Sequence, residues 1–165
     1  MIIADTNIIS TFARVGALDR VRQLVKADRL YVTPATFTEL RRAVEAGCDF
    51  LAPTLATIQA GTELDLVALD REEVLAAKDL PASLGAGEAE SIAVCVNRRG
   101  TRLLTNDKRA RNYCRVRAIA CLDLPGILRA LWVRHVLSKK QVRELLRQIE
   151  TEEGLVIRNK DEIFQ

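Results

Sequence analysis

The chain predicts an α/β fold, a parallel sheet with helices on both faces, and three observations predict it. Five short strand-like runs alternate with longer segments of helical spacing, as in repeated strand–helix units. The first run, Met1 to Ala4, is apolar throughout, as a strand buried on both faces requires. Capping and turn residues separate the segments at most junctions.

Taken in order, Met1 to Ala4 is the first strand, and Asp5 ends it. Thr6 and Asn7 form a polar turn before Ile8, Ile9, Phe12 and Leu18 resume helical spacing. Ala17 to Asp28 reads as a helix with Leu18, Val21, Leu24 and Val25 on one face. Leu30 to Val32 is a second strand. Thr33 can cap the next helix and Pro34 suits its first position, with Glu39 in the second turn and Gly47 at the end. Phe50 to Thr62 reads as a helix and Glu63 to Leu69 as a third strand at the sheet edge. Asp70, with Glu73 three residues on, makes a capping box for a helix to Ala77. The loop Pro81 to Gly87 leads into a helix from about Glu88 to Arg98. Thr101 to Thr105 is a strand, Asn106–Asp107 a cap, Lys108 to Tyr113 a short helix and Val116 to Ala120 the last strand. Helices follow over Leu124 to Val136 and Ser138 to Glu150, the second opened by Ser138 and Gln141. Gly154 to Gln165 reads as a short irregular arm.

Composition narrows the function classes. A length of 165 residues suits one domain with a real core. The 48 % apolar and 28 % charged content is that of an ordinary globular chain. No stretch reaches the roughly 18 apolar residues of a membrane span, and Asp5 interrupts the first apolar run too early for a signal peptide; both point to the cytoplasm. Cys48, Cys95, Cys114 and Cys121 form no CxxC pair and read as reduced thiols. A zinc site is not expected, since the single histidine, His135, has no cysteine nearby; it reads as a packing or helix-surface residue.

The net charge of +3 is unevenly distributed. Between Arg98 and Arg117 lie eight basic residues and one acid, Asp107. An acid embedded in a basic field suits a polyanion gripped by Lys and Arg while a metal acts on one phosphate; Lys108, Arg109 and Arg111 are the expected contacts to it.

Four acids carry the chemical reading: Asp5, Glu39, Glu88 and Asp107. Asp5 and Asp107 follow strands, Glu88 opens a helix after a Gly-rich loop, and Glu39 lies on a helix able to pack across the opening. Ligands of open α/β sheets bind beyond the carboxyl ends of the strands, where strand order reverses. Four carboxylates in one pocket raise one another's pKa unless a cation compensates, and an oxygen-only set suits Mg²⁺ or Mn²⁺. Such an ion supports hydrolysis of a phosphodiester without a histidine or cysteine nucleophile.

The segments IIADTNII, TPATFTEL, GEAESIAVC and RLLTNDKRAR, in that order, resemble the PIN-domain ribonucleases, particularly the toxins of VapBC-type toxin–antitoxin pairs. The resemblance covers residues 1–124 as a PIN-like nuclease domain. Residues 125–165 look like a C-terminal helical extension, packed on the same domain, seen in one PIN subgroup. It implies a three-layer fold with a five-stranded parallel sheet, usually as a homodimer. It implies Mg²⁺- or Mn²⁺-dependent cleavage of RNA, and for toxin members a small antitoxin partner. By position, Asp5, Glu39, Glu88 and Asp107 match the catalytic, metal-holding acids, with Thr6, Asn7 and Asn106 in support. Glu88 stands where the family often has Asp, and Glu90 is a lesser candidate on another helix face. Two other readings compete. An aspartyl-phosphate phosphohydrolase with Asp5 as nucleophile would want an acid where Asn7 stands. A PIN-like protein that only binds nucleic acid would gain nothing from carboxylates that repel phosphate.

Overall fold

The computed structural model describes residues 1–157 and 160–165. Its sheet has five strands, all parallel: β1 (Ile2–Ala4), β2 (Leu30–Val32), β3 (Leu64–Leu66), β4 (Arg102–Leu104) and β5 (Cys121–Leu122), in the order β3-β2-β1-β4-β5. The chain leaves β1 toward one edge and returns to build β4 on its other side. The order therefore reverses between β1 and β4, where Ala4 pairs with Leu104.

Side chains alternate across the sheet, and that alternation makes the layers. Ile2, Ala4, Leu30, Val32 and Leu104 face a larger core shared with α1 (Thr6–Arg14), α2 (Leu18–Val25), α3 (Pro34–Glu45), α4 (Ala52–Ala60), α8 (Leu124–Val133) and α9 (Lys139–Glu153). Ile3 and Leu103 face a second core with α6 (Ala86–Asn97) and α7 (Lys108–Val116). Helix α5 (Arg71–Lys78) packs on α6, and buried Glu73 accepts from the Arg98 guanidinium through both carboxylate oxygens.

Most helix starts lie where the capping residues place them. Asp5, Thr33, Asp107 and Asp123 each follow a strand and accept from the backbone N–H three residues on. Asp70–Glu73 and Ser138–Gln141 form complete capping boxes. The third strand is at the sheet edge as expected.

Several boundaries differ from the sequence reading. Thr6 and Asn7, expected as a turn, form the first turn of α1 because Asp5 caps it, and the third strand is confined to Leu64–Leu66. The last strand is Cys121–Leu122, not Val116 to Ala120, because α7 runs on to Val116 and closes through Ala118 at φ 54°, with Ile119 N–H donating to the Cys114 carbonyl. No glycine marks that left-handed turn. The Phe50–Thr62 segment splits into a 3₁₀ turn (Asp49–Leu51) and α4. The arm expected to be irregular over residues 154–165 contains α10 (Lys160–Phe164), while Arg158 and Asn159 lie outside the described residues. Ile163 is buried, and the Trp132 indole N–H donates to its carbonyl at 2.6 Å, a tertiary contact that a five-residue segment does not advertise. His135 is exposed and ends α8 at φ 57°. The four cysteines are free.

Candidate metal centre

The strand-order reversal sets the site. Asp5 leaves β1 beside β4, its N–H donating to the Leu104 carbonyl at 3.0 Å. The same residue caps α1, Oδ1 accepting from Ile8 N–H at 2.7 Å. Asp5 is thus 2 % exposed, and its Oδ2 is buried without a hydrogen-bond partner. Burial pushes this carboxyl up from 3.8 to about 6. The Thr105 hydroxyl and Ile8 N–H oppose the rise, and the Glu88 charge adds to it. Thr105 lies close enough to favour the ionised form, but its geometry leaves Oδ2 without a proper bond. An unpaired buried acceptor of this kind is costly and rare.

The other acids gather around Asp5 through short links. Thr6, next in the chain, donates its hydroxyl to Glu39 Oε2 on α3. Helix α6 approaches α3 at Gly87, where an added Cβ would stand 2.9 Å from Thr36 Oγ1 and 3.3 Å from both Glu39 carboxylate oxygens. Any larger residue would press on both side chains, and the approach brings the Glu88 charge within reach of Asp5. Asp107 caps α7 through Ala110 N–H at 2.7 Å, and its own N–H donates to Thr105 Oγ1 at 3.1 Å. Asn7 and Asn106 are exposed at the same end of the sheet, and the Asn106 N–H favours the ionised Asp5.

Neighbouring backbones do not mean convergent carboxylates. Among the described residues, no three His, Cys, Asp or Glu side chains stand close enough to hold an ion as placed. Each acid is turned to a local group: Asp5 and Asp107 to helix N–H donors, Glu39 to Thr6, and Glu88 back over Gly85. The set nevertheless fits a hard cation. Every donor is oxygen, the charges repel, and Asp5 Oδ2 is an unsatisfied acceptor within it.

The basic run divides in three dimensions. Arg98 belongs to Glu73. Arg111 pairs with Asp123, the cap of α8, and Arg109 donates to the Ser83 carbonyl at 2.8 Å. Lys108, at the first position of α7, is exposed. Arg102 and Arg117 lie at the amino end of the sheet, lining a cavity of about 450 Å³ that has no acid in its wall. Volume and acid chemistry therefore part company in this molecule.

The sequence reading undervalued two acids. Glu90 on α6 accepts from Ala35 N–H in the first turn of α3, at 2.8 Å. Asp123 ends β5 at the same end of the sheet and fixes Arg111. Position after a strand marks Asp123; nothing local marks Glu90.

A family model described as a PIN domain matches residues 1–161. No curated protein matches the chain, and no solved structure does.

Proposed function

The chain belongs to the PIN-domain family, a nuclease-type fold commonly dependent on a metal, and from that premise we propose that it is a Mg²⁺- or Mn²⁺-dependent endoribonuclease. The observation that carries the proposal is the buried, unpaired Oδ2 of Asp5, held at the strand-order reversal beside a second carboxylate. A cation is the partner that both oxygens and charges call for.

Asp5, Glu39, Glu88 and Asp107 would hold the ion. When bound, it supplies Lewis acidity for in-line attack of water on a phosphodiester. The protein's own groups do the rest. The cap bond from Ile8 fixes one Asp5 oxygen and leaves the other for the ligand. Thr6 holds one oxygen of Glu39, fixing the direction of the other. Thr105 bridges the Asp5 and Asp107 loops. Lys108 and Arg109, at the start of α7, offer cations to flanking phosphates, and the helix N-terminus adds its dipole.

The resemblance to VapC-type toxins extends the proposal to a homodimer neutralised by a small antitoxin, with the cytoplasm as its compartment; no helix in the described residues is long and apolar enough to cross a membrane. One observation favours the rival reading of a binding protein without catalysis: the carboxylates do not converge on one point. Cleavage of varied RNAs with Mn²⁺, Mg²⁺ or EDTA, beside Asp5→Asn, separates the two. Metal-dependent cutting lost in the variant supports the nuclease. Binding without cutting by the folded wild type, in either metal, supports the rival.

A further inference from the structure

Two helices far apart in sequence, α3 and α6, bring Glu39 and Glu88 to the site, and nothing in either helix alone sets their relative height. Two contacts do. At Gly87 the helices touch, with no room for a Cβ between α6 and the Thr36 and Glu39 side chains. One turn further along α6, Glu90 Oε2 accepts from Ala35 N–H at 2.8 Å. Ala35 is the second residue of α3, and its N–H is one of the four that a helix start leaves without an internal partner. A carboxylate at that place is also favoured by the helix dipole. Thr33 satisfies the next free N–H, that of Thr36, so Glu90 supplies what the local cap does not.

Gly87 and Glu90 are three residues apart and so lie on one face of α6, whereas Glu88 lies off that face, with its charge felt at Asp5. The division of labour follows from helix geometry: one face clamps α3 while the neighbouring residue serves the site. We infer that Glu90 is a positioning residue, holding α6 against the start of α3 so that Glu39 and Glu88 stay in register for one cation, and that it is not itself a ligand. The inference rests on the metal-site reading above.

Two features make it testable apart from catalysis. A glutamine keeps the acceptor oxygen but loses the charge, so it preserves the clamp and would cripple a ligand. Alanine at Gly87 opposes the same helix contact from the other side. Binding of Mn²⁺ to the protein without RNA, followed by electron paramagnetic resonance or calorimetry, reads the site directly. Partners that orient metal ligands typically change affinity by about 10- to 100-fold. Glu90→Ala should therefore raise the half-saturating Mn²⁺ concentration by at least about tenfold, with the far-ultraviolet circular dichroism unchanged at the assay temperature. Glu90→Gln should stay close to wild type, and Gly87→Ala should weaken binding as Glu90→Ala does. Loss of binding in Glu90→Gln as deep as in Glu90→Ala would make Glu90 a ligand and overturn the inference. Wild-type binding in both Glu90→Ala and Gly87→Ala would overturn it too. Asp5→Asn is the control for the underlying reading. If that variant keeps wild-type affinity, the metal site itself is wrong; if it alone loses Mn²⁺, the site stands and the clamp fails.

Discussion

Replacing Asp5 by asparagine should abolish metal-dependent cleavage yet make the protein relatively more stable as pH rises. A carboxyl that titrates at 3.8 when solvated and at about 6 when folded is ionised more easily in the unfolded chain. Its contribution favours folding fully below pH 3.8 and is lost as pH rises through about 6. Over the full range the loss is about 3 kcal/mol, and between pH 4 and pH 7 it is about 2 kcal/mol. Asparagine does not ionise, and its Oδ1 can still accept from Ile8 N–H, the bond that caps α1. Any fixed packing cost of the amide is the same at both pH values and cancels in the difference. Urea unfolding of both proteins at pH 4, 5, 6 and 7, without divalent ions, measures it. The stability of Asp5→Asn relative to wild type should climb by about 2 kcal/mol across that series. Parallel stability curves for the two proteins would refute the argument that burial of Asp5 sets its protonation. At pH 7 the gap should narrow when Mn²⁺ is added, because a cation that binds only the folded wild type stabilises it by mass action.

Removing Lys108 with alanine should weaken RNA binding at all sequences and flatten the slope of log affinity against log salt by about 1; an unchanged slope would mean that this side chain touches no phosphate. Arg111→Ala should act differently, costing stability because Asp123 loses its partner, and a double-mutant cycle with Asp123→Ala should return a coupling of about 1 kcal/mol. Glu73→Ala should lower stability by about 3 kcal/mol, since the carboxylate is wholly buried against Arg98, while Mn²⁺ affinity stays at the wild-type value; a shift in affinity would show that α5 reaches the site through α6.

Where the candidate acids fall in the fold was largely legible in local signals. A cap acts within three residues of itself, so Thr33 and Asp107 announced both a helix start and a strand end, whereas Asp5 marked only the strand end and the turn expected at Thr6 and Asn7 is the first turn of α1. In a parallel sheet, those junctions must fall at the carboxyl ends of the strands, and the adjacency of β1 and β4 put Asp5 and Asp107 at one crevice. Where the sequence reading slipped, a local signal was missing or misleading. Ala118 takes a left-handed turn without glycine, so α7 was read too short and β5 too early. Five residues of α10 carry too little periodicity to declare a helix whose support comes from Trp132.

By itself, then, the sequence determined the α/β class, the succession of elements, most helix starts and the identity of the acids at the sheet's carboxyl end. These are properties of short windows, governed by side-chain periodicity and by hydrogen bonds to nearby N–H groups. The tertiary structure decided which of those acids is desolvated, which basic residues are already paired and how α3 and α6 are aligned. Burial of Asp5, the partition of the basic run among Glu73, Asp123 and the far cavity, and the reach of Glu90 to Ala35 each join residues from different elements. No window of sequence contains both partners, and the free energies concerned arise only when packing removes water from between them.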